Sequence, residues 1–100
     1  MTTGQFLHIA INFKSGAAKM KELEPAFNKA LDWLRYAPNC WIVWTTSDPA
    51  KWYARLKPVL DEADTFFICK IDIDTRYGWL PKSTWNWINK DRASDGKSDD

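Results

Sequence analysis

His8 and Asn12 are the residues with which the start of this sequence could do chemistry, because they share one side of an alternating segment. Phe6 to Phe13 places Leu7, Ile9, Ile11 and Phe13 on one face and Phe6, His8, Ala10 and Asn12 on the other. His8 is the only histidine. It could act as a general acid or base if two protomers brought two copies together. The competing role is that of a strand histidine filling an interface. Asn12, opposite the apolar row, falls where a cleft between two protomers could form.

The other reactive groups are sparse. A zinc site needs clustered ligands, and one histidine with Cys40 and Cys69 supplies neither the number nor the spacing. No metal and no cofactor is expected from local motifs. A cysteine-histidine nucleophile pair is not expected, because the alternation is read as placing Cys69 on the covered face and His8 on the other. Asp72 and Asp74 read as a solvated strand end. Lys14-Ser15-Gly16 matches no phosphate-binding loop, although amides at the following helix start could attract an anion. Lys14, Lys19, Lys21 and Arg35 could contact nucleic-acid phosphates, or be an ordinary solvated surface. Cys40-Trp41-Ile42-Val43-Trp44-Thr45-Thr46 lacks the glycine and positive charge of an RNA-recognition-motif strand.

These residues need elements to hold them. After the first strand, Met20, Leu23, Phe27, Ala30 and Leu31 recur at helical spacing. Pro25 must kink that helix or delay its regular part to near Glu24. Trp33 to Ala37 reads as a short strand, or as a continuation of the helix. Pro38-Asn39 reads as a tight turn, and Cys40 to Thr46 as a longer strand. Ser47 or Asp48 caps a second helix with Pro49 in its first position, an apolar stripe of Trp52, Leu56, Val59 and Leu60, and an end near Asp61 to Asp64. Thr65 to Ile73 is a strand whose cleanest apolar face is Phe67, Cys69, Ile71 and Ile73. Pro81 opens a terminal helix carrying Thr84, Trp85, Trp87 and Ile88. Trp85 and Trp87 point to different sides, so one of them is expected to leave the chain's own core.

The order βαββαβ plus a C-terminal helix is that of an α+β, ferredoxin-like fold. In its usual strand order the first strand separates Cys40 from Cys69 by roughly 9.6 Å, too far for a disulfide. Both thiols should be reduced strand cysteines, as in a cytoplasmic protein. One hundred residues suit one domain, expected over residues 1–90, followed by a disordered polar tail at 91–100. The net charge of +1 makes no general case for a nucleic-acid binder, although residues 91–100 carry −2 and leave the body mildly basic at +3. The sequence shows neither a membrane span nor a signal peptide at its start. Seven Trp, three Tyr and five Phe exceed what so small a core requires, and Trp85 and Trp87 are the candidates for a dimer interface.

Leu7 to Phe13, Trp41-Ile42 ahead of the Ser47-capped helix, Asp64 to Ile68, and Gly78-Trp79-Leu80-Pro81 with Trp85 and Trp87 resemble the small SinR-family proteins. Those are relatives of the CRISPR-associated small adaptation subunit and of VapD-type toxins. The resemblance spans residues 5–90. It implies a homodimer of ferredoxin-like protomers meeting through sheet faces and edges, associated with RNA or DNA and in some members cutting it. An Asp near the end of the first strand is that family's metal-binding candidate, and the matching position here is Asn12. An amide lacks the negative charge that holds Mg²⁺, so the resemblance implies an accessory protein or degenerate nuclease. Two alternatives stand beside it: a protein-binding module whose excess Trp makes the contact, and a metal-free ribonuclease using His8.

Overall fold

A computed structural model describes residues 4–14 and 19–92. In chain order they form β1 (Gln5–Asn12), α1 (Met20–Phe27), β2 (Asp32–Ala37), β3 (Cys40–Thr45), α2 (Pro49–Leu56), a 3₁₀ turn (Lys57–Val59), β4 (Thr65–Ile71) and α3 (Lys82–Ile88). The protein is α+β, with a four-stranded antiparallel sheet in the order β2-β3-β1-β4. The expectation for the polar tail falls, from residue 93 on, outside the described residues.

The apolar row of β1 is what the helices cover. Leu7, Ile9, Ile11 and Phe13 are buried together with Trp41 and Val43 of β3, Leu23, Ala26 and Phe27 of α1, and Trp52 and Leu56 of α2. At its centre Phe27 stacks on Trp41 at 5.0 Å, with Trp33 and Trp52 at 5.4 and 6.1 Å. Each large ring removed from water contributes an upper limit of about 4–6 kcal/mol before ordering costs. The Trp52 indole N–H donates to Thr45 Oγ1 at 3.0 Å, and the Ser47 N–H donates to the same oxygen, so both of these donors are satisfied, whereas the buried Trp41 indole N–H has no partner among the described residues.

Several local expectations resolve here. Residues from Asp32 form a strand and not an extension of α1, which ends at Phe27; the Leu31 N–H donates to the Trp44 carbonyl as the chain enters the sheet. Helix α1 begins at Met20 and carries Pro25 inside it, on an exposed position. For α2, Asp48 is the cap, accepting from the Lys51 N–H at 2.8 Å, with Pro49 first in the helix. That helix stops at Leu56 and not near Asp61 to Asp64, because Pro58 has no N–H to continue the ladder and the chain tightens into a 3₁₀ turn. Gly4 lies under the Trp44 indole, where any Cβ would fall 2.3 Å from the ring.

The phase of β4 corrects the sequence reading. Ile68 pairs with Ile9 and Phe66 with Ile11, so Phe66 and Ile68 face the helices, while Phe67 and Cys69 lie on the opposite face. Cys69 is therefore directly opposite His8 in register, on the same side. Neither thiol is a buried core group: Cys40 is half-buried and Cys69 exposed, both free, with β1 between their strands. The longer apolar row of β4 is on the outside because β4 is an edge strand. Its phase is set by pairing with β1, and Lys70 on the helix side remains exposed at the rim.

Candidate functional site on the half-open sheet face

The face of the sheet away from α1 and α2 is divided in two. Over one half lies α3, with Thr84 and Ile88 buried, and Trp87, Lys90 and Arg92 clamp Phe6 and Asp32. Arg92 stacks between the Trp87 and Phe6 rings at 4.1 and 5.4 Å and reaches the Asp32 carboxylate at 3.2 Å. Lys90 adds a second contact to Asp32 at 3.5 Å. Burial pushes the Asp32 carboxyl up, but the charge of Lys90 and hydrogen bonds from Arg92 and the Trp33 backbone N–H act against it, and the group lies below the ordinary carboxylate range.

The other half carries Tyr36, Cys40, His8, Ala10, Asn12, Cys69 and Phe67. Alternation along each strand puts these residues on one side, and the pairings Ala10 with Cys40, His8 with Cys69 and Ala10 with Phe67 bring them together. His8 Nε2 lies 2.5 Å from the Tyr36 hydroxyl. Burial lowers the pKa of His8, leaving it neutral near pH 7. Burial, then the hydrogen bond and charge of Cys40, raise the Tyr36 phenol above its ordinary value. The result is a row of imidazole, phenol and thiol on a half-buried surface. Cys69 Sγ donates to the Lys70 carbonyl at 3.3 Å and not to His8, so the two are in register without forming a nucleophile pair.

Asn12 is exposed at the far end of the same row, opposite Thr65. It edges a shallow depression of about 410 Å³ lined also by Ala10, Asn39, Cys40 and Phe67. Four strand residues, about 13 Å at ~3.3 Å each, separate His8 from Asn12. Within one protomer they share a face but not a reaction centre.

The four candidate phosphate-contacting cations do not gather. Lys14 is exposed at the end of β1, and its backbone N–H donates to Asp64. Lys19 pairs with Asp61 and Asp64 at 2.5 and 3.4 Å, which raises its pKa through the Asp61 hydrogen bond first. Lys21 is exposed on α1. Arg35 folds back to the Pro38 carbonyl and lies 5.5 Å over the Trp41 ring. Trp85 and Trp87 are both half-buried against their own chain. Trp87 meets Phe6 edge to face at 6.2 Å, and Trp85 lies against Gly78.

Sequence reasoning gave no site role to Tyr36, Cys40, Phe67, Tyr77 or Trp79. Tyr36 lies at a register shift between Arg35 and Ala37 that no composition signal announces, whereas the Tyr77-Gly78-Trp79 spacing is legible as two rings flanking a glycine. No helix is long and apolar enough to cross a membrane among the described residues. No protein-family model, curated protein or solved structure matches this chain.

Proposed function

We propose that this chain is a ferredoxin-like, homodimeric, nucleic-acid-associated accessory protein of the SinR and adaptation-subunit type, acting as a scaffold and not as a metal-dependent nuclease. The observation that carries the reading is Asn12: at the end of β1, on the uncovered half-face, the position that a catalytic carboxylate would need is an amide. Its neighbours Thr65, Asn39, Cys40 and Phe67 bring no carboxylate to replace it. The order β1-α1-β2-β3-α2-β4 with strands arranged β2-β3-β1-β4 supports the ferredoxin-like assignment. The uncharged half-face supports a protein contact there, because burying it strands no unpaired charge.

The nucleic-acid part of the reading rests on the +3 charge of residues 1–90 and on exposed cations such as Lys14 and Lys21. Binding of short single-stranded RNA and DNA is expected at about 50 mM salt and should weaken severalfold by about 200 mM, since phosphate contacts release counterions. Incubation with Mg²⁺ or Mn²⁺ against an EDTA control should give no cleavage. Absence of binding at low salt overturns the nucleic-acid association, and metal-dependent cutting overturns the scaffold reading of Asn12. A ribonuclease based on His8 would have to work through Nδ1, because Nε2 is engaged by Tyr36.

A further inference from the structure

Four large apolar side chains are exposed among the described residues, and they fall into two groups that complement each other. Phe67 (65% exposed) and Tyr53 (51%) flank the outer edge of β4. With Pro49 and Ala50 they line an open apolar groove of about 360 Å³, in which Tyr53 stacks on Phe66 at 5.2 Å. Tyr77 and Trp79 (101% and 99%) belong to the segment between β4 and α3, which has no helix or strand of its own. Gly78 between them packs on the Trp85 ring, its Cβ direction 3.8 Å from that indole. The flanking rings therefore project away from their own chain, as alternate residues of an extended segment do.

We infer that residues 76–81 are a dimerisation arm: each copy lays Tyr77 and Trp79 into the groove along the β4 edge of a second copy of this chain. The inference rests on the homodimeric reading above and names the surfaces that make the dimer. Three observations favour a second copy as the occupant. Among the described residues the outer edge of β4 has no neighbour in the sheet, and an unpaired edge is a template for an added strand. Rings and groove are carried by the same molecule, so a two-fold axis satisfies both contacts at once. The area also fits. Two rings per arm bury roughly 300–500 Å². Counting the groove surface they cover, and both arms, the total approaches the roughly 1,200–2,000 Å² of a stable interface.

The arm assigns the contact to Tyr77 and Trp79, while Trp85 supports the arm from behind and Trp87 holds α3. Light scattering after gel filtration should give the wild-type chain twice its 11.6 kDa protomer mass. A Tyr77→Ser/Trp79→Ser double variant, which touches no buried side chain, should keep its circular dichroism and weaken the dimer at least 100-fold. Phe67→Ser, on the receiving side, should do the same. A dimeric wild type whose double variant dimerises equally well overturns the arm and leaves the homodimer standing, whereas a monomeric wild type overturns the homodimer itself. A double variant that stays dimeric but no longer binds short oligouridylate overturns the arm in favour of a base-stacking role for the two rings.

Discussion

At the scale of single residues, His8 is the most informative group. Its Nε2 is 2.5 Å from the Tyr36 hydroxyl, and burial lowers its pKa below the ordinary 6.5. The unfolded chain therefore takes up a proton near pH 6.5 that the folded chain refuses. Stability should be at its full value above about pH 7 and decline as pH falls through that window, until the folded imidazole also protonates. Urea midpoints measured from pH 8 to pH 5 should show this decline, and His8→Gln should flatten it. An undiminished slope in that variant would assign the effect to another group. Tyr36, Cys40 and Cys69 share the face of His8, and burial is the cause of its lowered pKa.

At the scale of elements, the C-terminal helix is held by few contacts and the four strands by many. Helix α3 has seven residues and buries only Thr84 and Ile88, so much of its attachment comes from Arg92, sandwiched by Trp87 and Phe6 and paired with Asp32. Arg92→Ala removes a partly desolvated cation–π contact worth about 0.5–2 kcal/mol. Hydrogen exchange should then quicken at residues 82–88 while the amides of β1 stay protected, and equal acceleration of both would show that α3 is not a separate unit. The Asp32 carboxyl is held below the usual range, so its share of the clamp persists through mildly acidic pH and is lost only as pH falls through that depressed value.

At the scale of the whole molecule, the arrangement of exposed apolar groups matters more than net charge. A chain of net charge +1 is weakly protected from self-association by charge. Its fully exposed rings at Tyr77 and Trp79 flank a glycine in a segment joining the edge strand to the last helix. A dimer built on them couples folding to concentration. Each tenfold rise in protein concentration should add about 1.4 kcal/mol per dimer to apparent stability, visible as a rising thermal midpoint. A midpoint constant over two decades of concentration would contradict a dimer that dissociates on unfolding.

The sequence by itself determined the inward row of β1, because Leu7, Ile9, Ile11 and Phe13 alternate without a competing phase, and the succession of elements apart from β2, which local pattern left between strand and helix. It also determined the Pro49 start of α2 and the amide at position 12, while the choice of Asp48 over Ser47 as the cap came from the fold. Tertiary structure alone decided the phase of β4. That strand offers apolar residues on both faces, and only its pairing with β1 chose Phe66 and Ile68 for the core and left Phe67 outside. It also decided where seven Trp go: Trp41 and Trp52 into the core, Trp33, Trp44, Trp85 and Trp87 half-covered, and Trp79 free. Side-chain type sets how much burial is worth, but which ring is buried depends on neighbours distant in the chain. Local pattern carries no record of them.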